Sequence, residues 1–356
     1  MKCLVYPYSD DMYPIIENLH IYSPDVEISA IVYPKAWRKH MDSISRLEGI
    51  YSGDDFSEAL EKAECVILAD VSDKEYMYDD IIRKASAALA SGKKIKCCTY
   101  VKNDDLADLK KKYPDADIEM LYSDGSEYGF ESYRHERITV PAVGISGMYR
   151  GLDNVFVSVG MSCGFRSKGY RTITVTPNCN GRLLGFYPFP TGIFKSESDV
   201  EQQTEMLNSY FYRLSSKEKC DLMIVQFPDG MTKYSVDSRD AYGVKAYMIT
   251  RAVPIDYFVM VSPLTIRDRK IYDELSAMFR NKFDMGIDAC VVQPVQIDGE
   301  YTAETRNISF TYCGTDDADD VVSSLASSGS GILFSKIGSP DAGMSMTENC
   351  IAKLTN

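Results

Sequence analysis

Short apolar runs alternate with segments of helical spacing along residues 2–121. Residues 2–8 form an apolar, strand-like run, and Ser9-Asp10-Asp11 then begins a helix. Strands are likewise expected at residues 26–33, 65–69, 93–100 and 117–121, and helices at 56–63, 78–90 and 104–112. Strands that alternate with helices favour parallel crossover connections, so this region predicts a doubly wound, Rossmann-like sheet.

The domain organisation follows from the polar, glycine-containing stretch that comes after these elements. We expect residues 1–122 to form a Rossmann-like N-terminal domain, residues 123–137 to be a linker, and residues 138–356 to form a second α/β domain. No Gly-x-Gly-x-x-Gly follows the first strand, so the shape alone does not predict that NAD binds.

Charge and composition exclude several function classes. The chain has 52 acidic and 39 basic residues, a net charge of −13, which opposes binding to a polyphosphate backbone, so no nucleic-acid partner is expected. The N-terminus has no secretory pattern and no window is apolar enough to span a bilayer, so we expect a cytoplasmic protein with no membrane partner. Ten cysteines without a Cys-x-x-Cys and only three histidines predict no metal site.

The second domain begins with the layout of a P-loop unit. Residues 142–146 predict a strand, 147–154 a glycine-containing loop, 155–166 a helix and 172–176 a second strand. Gly160 and Gly164 share one face of that helix, from which we expect a close approach of the helix to the sheet.

The loop departs from the residues that a nucleotide-binding P-loop requires. Gly-x-x-x-x-Gly-Lys-[Ser/Thr] places backbone N–H groups and a lysine around phosphate and a hydroxyl on Mg²⁺. With one extra loop residue counted from Gly147, Asp153 and Asn154 take the Gly-Lys positions and Val155 the hydroxyl position. A carboxylate there repels phosphate by on the order of a few kcal/mol. Arg150 is the candidate substitute for the missing lysine.

A second element of the candidate site is the apolar strand that ends in Gln226-Phe-Pro-Asp229-Gly. Some P-loop proteins end this strand with Asp-x-Pro-x-Gly, whose first Asp serves Mg²⁺. Gln226 is a weaker ligand for a hard cation, and Asp229 either supplies the charge or is an ordinary turn residue. The candidate cofactor-binding residues are Gly147, Arg150, Gly151, Asp153, Asn154, Gln226 and Asp229.

Residues 176–182 follow the second strand of the P-loop unit and are expected to face the same crevice as Gly147. Asn178, Cys179 and Arg182 are therefore candidate contacts to a substrate or partner. The alternative is a simple turn rich in Asn and Gly.

Several segments together resemble a known family. VPAVGISGMYRGLDNVF, SKGYRTITVTPNCNGRLLGFYPFP, KCDLMIVQFPDGM and DAYGVKAYMITRAVPIDYFVMV resemble the P-loop-like peptide maturation system proteins found with bacterial ribosomally made natural-product peptides. MKCLVYPYSDDMYPIIEN is similar to the start of that family, so the resemblance covers nearly the whole chain. It implies a Rossmann-like domain followed by a P-loop NTPase-like domain and an accessory role in maturing a precursor peptide.

Only part of the family's site carries over to this chain. Gly147, Gly151, Pro228 and Gly230 match the loop and turn positions. The Lys, Ser/Thr and Asp positions of the site are instead filled by Asn154, Val155 and Gln226.

Three functional hypotheses remain open at this point. The first is an accessory or scaffold protein with a degenerate site that does not hydrolyse NTP efficiently and binds ATP or GTP weakly or not at all. The second is an active NTP-dependent ligase or kinase-like peptide-modifying enzyme, in which Arg150 or a partner subunit replaces the missing lysine. The third is a nucleotide or metabolite sensor that binds without turnover. The expected partners are a precursor peptide, a peptide-modifying enzyme or both, and oligomers are compatible with the sequence.

Overall fold

The fold is described from a computed structural model of the chain. The structure describes residues 1–40, 44, 47–71, 74–128, 135–152, 154–236, 238–239, 243–313, 315–327, 331–337 and 342–355. Within these ranges the chain divides into two compact units, one of residues 1–123 with 178–188 and one of residues 124–177 with 189–356.

The first unit is built on a six-stranded sheet in the order β3-β2-β1-β4-β5-β6, and every strand pair in it is parallel. Its strands are β1 (Lys2–Tyr6), β2 (Glu27–Val32), β3 (Tyr51–Gly53), β4 (Cys65–Leu68), β5 (Lys94–Cys97) and β6 (Ile118–Met120). Its helices are α1 (Tyr13–Tyr22), α2 (Phe56–Glu61), α3 (Lys74–Ala90) and α4 (Asn103–Lys112).

Local sequence explains most of these elements. Asp55 caps α2, because its side chain accepts hydrogen bonds from the backbone N–H groups of Ser57 and Glu58. The central strands β1 and β4 are buried along nearly their whole length, as expected of parallel strands that are covered by helices on both faces. Strand β3 was not predicted, because its Tyr-Ser-Gly sequence is only partly buried and shows no apolar alternation.

The second unit carries six strands of a parallel sheet, in the order β15-β12-β11-β7-β10-β8, and a separate antiparallel pair, β13-β14. Its strands are β7 (Ala142–Gly147), β8 (Thr172–Thr176), β10 (Leu222–Gln226), β11 (Tyr257–Pro263), β12 (Ala289–Gln293), β13 (Val295–Ile297), β14 (Phe310–Tyr312) and β15 (Leu333–Lys336), whereas the two-residue strand β9 (Tyr187–Pro188) belongs to the first unit. Its helices are α5 (Val155–Ser167), α6 (Val200–Glu218), α7 (Val244–Ala252), α8 (Arg269–Phe283), α9 (Gly299–Thr305), α10 (Thr315–Ala326) and α11 (Ala342–Thr355).

The strand order of the second sheet reverses at β7. The chain proceeds from β7 to strands on one side, β8 and β10, and then to β11, β12 and β15 on the other side. In open parallel sheets, ligands bind beyond the carboxyl ends of the strands at such a reversal. The loop from β7 to α5 therefore lies at the position where this fold places its binding sites.

Gly160 and Gly164 do share one face of α5, but that face does not meet the sheet. A Cβ atom on Gly160 would lie 3.4 Å from Gly343 Cα, and one on Gly164 would lie 2.4 Å from Thr347 Oγ1. Both contacts are made with α11, so the expected approach to the sheet was wrong. The small residues instead let two helices pack with their backbones close together.

The predicted fold class is confirmed: the chain is a mixed α/β protein with a Rossmann-like parallel sheet followed by a P-loop NTPase-like parallel sheet. The linear division into 1–122, 123–137 and 138–356 stays a prediction, and residues 129–134 of its linker lie outside the described ranges. Within the described part of the chain, no helix has the length and apolar character needed to cross a membrane.

Candidate functional site

The loop between β7 and α5 is bonded to the rest of its own unit through its backbone. The N–H of Met148 donates to the carbonyl of Val261 in β11 (2.6 Å). The carbonyl of Gly147 accepts from the N–H of Met231 (3.0 Å), and the carbonyl of Met148 accepts from both the N–H and the hydroxyl of Thr232 (2.9 and 2.8 Å). The segment that follows β10 thus runs directly beside the loop.

The interior of the loop is filled by its own atoms. A Cβ atom on Gly147 would lie 2.5 Å from the carbonyl oxygen of Tyr149 and 3.0 Å from Leu152 Cβ. The side chain of Leu152 is buried. Gly147 is therefore required because the loop folds back onto the end of β7.

Gly230, in the segment that follows β10, packs against the backbone of the loop. A Cβ atom on Gly230 would lie 2.4 Å from both the carbonyl carbon of Tyr149 and the backbone nitrogen of Arg150. Gly151 has φ +90°, in the left-handed region, and a Cβ atom there would lie 3.3 Å from the ring of Phe310 in β14. A nucleotide-binding P-loop turns its N–H groups toward an anion. Here Gly230 packs against the backbone of Tyr149 and Arg150.

Gln226 occupies the position where an Asp would serve Mg²⁺, and it is engaged inside the protein. Its Oε1 accepts a hydrogen bond from Thr176 Oγ1 (2.7 Å) and lies 3.3 Å from Ser158 Oγ. Ser158 Oγ also lies 2.8 Å from the carbonyl of Asn154. Asn154 Oδ1 is buried and has no hydrogen-bond partner among the described residues. The Gln226 amide thus joins β10, β8 and the first turn of α5.

Asp229 lies between two cations. Lys245 Nζ, in the first turn of α7, is 2.7 Å from Asp229 Oδ2, and Arg150 Nε is 3.9 Å from Asp229 Oδ1. The Asp229 side chain is only 8% exposed, whereas that of Arg150 is 66% exposed. The closer cation is Lys245, which sequence analysis did not identify because it belongs to no motif and lies on a different element.

The structure brings together six of the predicted site residues in the second unit: Gly147, Arg150, Gly151, Asn154, Gln226 and Asp229. The seventh, Asp153, lies outside the described residues. Whether the six bind a cofactor stays a prediction.

Asn178, Cys179 and Arg182 belong to the first unit, and their role as substrate contacts stays a prediction. Asn178 Oδ1 accepts from the N–H of Asn180 (3.0 Å), and Arg182 Nη1 donates to the carbonyl of Phe186 (3.1 Å). Cys179 is buried, with its Sγ 3.5 Å from the carbonyl of Ser123. These contacts are those of a structured turn.

The residue of this turn that sequence analysis missed is Asn180. Its Oδ1 accepts from the N–H of Asp70 (2.7 Å), and its Nδ2 donates to the carbonyl of Asp70 (2.8 Å). Asp70 follows β4, so the amide of a fully buried asparagine pairs with the backbone at the carboxyl end of that strand. A lone Asn in a turn carries no sequence signal for this role.

The carboxyl edge of the first sheet is acidic. Asp10 and Asp11 follow β1, and Asp70 follows β4. Desolvation and the neighbouring carboxylates of Asp10 and Asp70 raise the pKa of Asp11. Burial also raises the pKa of the Cys97 thiol to about 11, so this thiol is not an activated nucleophile. Among the described residues, no group of three or more His, Cys, Asp or Glu side chains is placed to hold a metal ion.

Comparison with known proteins identifies the fold and no family. No family model and no curated protein matches the chain. A solved DUF1611 family protein from Anabaena variabilis ATCC 29413 matches over 100% of this chain and 99% of its own, with a TM-score of 0.62 and 11% identity. At that identity, the similarity shows the fold alone.

Weaker matches include the MinD cell division protein of Aquifex aeolicus, with a TM-score of 0.34 and 10% identity over 61% of this chain and 97% of its own. Another is the signal recognition particle 54 kDa protein of Aeropyrum pernix K1 in complex with GDP. It has a TM-score of 0.34 and 11% identity over 79% of this chain and 66% of its own. Both similarities are too weak for any further conclusion.

Proposed function

We propose that this chain is an accessory or scaffold protein in the maturation of a ribosomally made peptide, with a P-loop-like loop that does not hydrolyse NTP. The observation that supports the proposal is the closed loop. Leu152 lies against Gly147, and Gly230 lies against the Tyr149–Arg150 backbone, where a phosphate would need room. The loop serves as a structural turn at the sheet reversal.

The chemistry of the surrounding residues supports the same proposal. Phosphoryl transfer needs a cation on the β/γ phosphates, a hydroxyl and a carboxylate on Mg²⁺ and a cradle of N–H groups. Val155 has no hydroxyl, and Gln226 offers a neutral amide that already accepts a hydrogen bond from Thr176. The Met148 N–H is bonded to β11. The hydroxyl is therefore missing, a neutral and already bonded amide stands in place of the carboxylate, and one N–H group of the loop is used to bond the neighbouring strand.

The peptide-maturation part of the proposal rests on the sequence resemblance, which extends from MKCLVYPYSDDMYPIIEN to DAYGVKAYMITRAVPIDYFVMV. An accessory protein in such a system holds a precursor peptide or a modifying enzyme and needs no chemistry of its own. A rigid α/β unit without a nucleotide cycle suits that task.

One observation favours a second candidate, an NTP-dependent enzyme. Lys245 and Arg150 both reach Asp229 beside the loop, so two cations are available from outside the usual lysine position. In that case a phosphate would compete with Asp229 for Lys245, and the loop would have to open.

The deciding experiment is isothermal titration of the full chain with ATP and GTP, with and without Mg²⁺, together with a hydrolysis assay. We expect no binding below millimolar nucleotide and no turnover. Lys245→Ala and Arg150→Ala should leave this result unchanged, as should the control Arg171→Ala, whose side chain pairs with Asp221. Micromolar, Mg²⁺-dependent binding with turnover that is lost in Lys245→Ala would establish the enzyme instead. Micromolar binding without turnover would establish a sensor.

A further inference from the structure

Large exposed apolar side chains are concentrated in one short segment of the second unit. Tyr234, Val236, Val244 and Tyr247 are 39%, 88%, 51% and 43% exposed, respectively. We refer to these four residues as the 234–247 patch. Single exposed apolar residues are ordinary on a protein surface, but a cluster of them indicates an interaction site.

Contacts place the patch beside the closed loop. The ring of Tyr234 packs edge-on against that of Tyr149, with 5.7 Å between the centroids. A Cβ atom on Gly243, immediately before α7, would lie 2.8 Å from the carbonyl oxygen of Met231. Met231 is itself bonded to Gly147, so both ends of the segment are fixed against the same loop.

The patch is surrounded by basic residues in a strongly acidic chain. The guanidinium of Arg251 lies 5.4 Å from the centroid of the Tyr247 ring. Arg251 and Lys245 already contact carboxylates, at 2.6 Å from Asp284 and 2.7 Å from Asp229. Arg150 Nε lies 3.9 Å from Asp229 Oδ1, and the Arg150 side chain is the most exposed of these three cations. The Asp229 carboxylate lies between Arg150 and Lys245 and is itself only 8% exposed, so positive charge is in excess beside the loop.

We propose that the 234–247 patch docks an acidic peptide segment that carries apolar side chains, an inference that rests on the proposed peptide-handling function. Apolar side chains of the peptide would lie on Tyr247 and Val236. A glutamate or aspartate would accept hydrogen bonds from the guanidinium of Arg150, whose planar fork suits carboxylates. The two cations Arg150 and Lys245 outnumber the single buried carboxylate of Asp229 between them, so an acidic peptide is the complementary occupant.

The test uses fluorescence anisotropy with a short fluorescein-labelled peptide in which Leu and Phe are spaced among Glu and Ser. We expect saturable binding to the full chain that weakens as NaCl is raised. Tyr247→Asp and Arg150→Glu should each weaken binding about tenfold or more, because each removes a central contact and adds a repelling charge. The control Tyr170→Asp should change binding less than twofold, because Tyr170 is 38% exposed but precedes β8 at the amino-terminal end of the sheet.

Circular dichroism spectra of the variants identify any that fail to fold. Arg150→Glu is expected to fold because the Arg150 side chain is mostly exposed, so it tests the proposal even if Tyr247→Asp does not fold. Equal binding of a probe with Lys in place of Glu would overturn the proposal, as would equal loss of binding in Tyr170→Asp or no binding of the acidic probe. Co-sedimentation with phosphatidylcholine–phosphatidylglycerol vesicles in preference to the peptide would also overturn it, in favour of a lipid surface.

These results are independent of the nucleotide titration. Peptide binding together with NTP hydrolysis would contradict the proposed function and leave the docking patch intact. The absence of both would contradict only the docking patch.

Discussion

The carboxyl edges of the two parallel sheets differ in their charge and in how tightly the segments that follow the strands are packed. In the first unit the edge carries Asp10, Asp11 and Asp70, and desolvation together with the carboxylates of Asp10 and Asp70 raises the pKa of Asp11. In the second unit the edge carries Arg150 and Lys245, whose charge suits an anion, but the loop is closed on Gly230. One edge is acidic, and the other has nearby cations but a tightly packed loop.

The comparison shows that a parallel sheet with a strand reversal provides a position for a ligand and nothing more. Charge and free volume at that position are set independently, by residues that follow the strands. Three changes test how far each edge depends on the contacts described above.

The largest loss of stability is expected from a substitution that disturbs the loop between β7 and α5. Gly230→Ala places a methyl group 2.4 Å from the backbone of Tyr149 and Arg150, so the loop must move, and we expect a loss of about 3 kcal/mol in the free energy of unfolding. The control is Gly299→Ala in the first turn of α9, where no heavy atom lies within 4 Å of the new Cβ. Urea unfolding of both variants measures the difference. A loss below about 0.5 kcal/mol in Gly230→Ala would show that the loop opens readily.

A smaller loss of stability is expected from a substitution at the carboxyl edge of the first sheet. Asn180→Ala leaves the N–H and the carbonyl of Asp70 without their partner, which should cost about 2 kcal/mol and speed hydrogen exchange of the Asp70 amide. Asn208→Ala in the second unit removes bonds to the backbone of Glu136 and Ala252 and should cost at least as much.

The matched control for both asparagines is the exposed Asn281→Ala in α8, which should be nearly neutral. Unchanged exchange at Asp70 in Asn180→Ala would mean that the edge is held by other contacts.

The smallest expected effect is a pH-dependent change in stability caused by a substitution at Asp11. Because the pKa of Asp11 is raised in the folded chain, its carboxylate disfavours folding above the ordinary Asp pKa of about 3.9, and this cost is absent at lower pH. Asp11→Asn should therefore stabilise the protein at neutral pH, and its advantage should vanish as the pH is lowered to that range. Thermal unfolding across pH checks this, with Asp108→Asn in α4, an aspartate that is exposed like Asp11, as control. An advantage that persists at low pH would point to a cause other than charge.

The fold was largely predictable because both sheets are built from elements with strong local signals. The run 172–176 is a strand by sequence and in the structure, and the helix expected from Val155 extends only one residue further than predicted, to Ser167. The three-residue strand β3 was missed because its pairing with β2, and not its own pattern, makes it a strand.

The position of the candidate site was predictable from the sequence, but the packing of its loop was not. Gly147, Gln226 and Asp229 are identified by their spacing along strands, and strand ends meet at one edge. The packing of the loop was not predictable, because it depends on contacts that the sequence pattern does not show. Leu152 packs against Gly147, Gly230 packs against the Tyr149–Arg150 backbone, and Lys245 contacts Asp229. No local pattern records such contacts.

The glycine contact between α5 and α11 has a consequence for synthesis on the ribosome. The face of α5 that carries Gly160 and Gly164 contacts Gly343 and Thr347, which are translated long after α5 itself. Until those residues emerge, the helix that follows the P-loop-like turn has no partner on that side. A nascent chain that pauses before residue 342 would leave this glycine-containing face of α5 uncovered, and release of α11 from the ribosome would allow the two helices to pack.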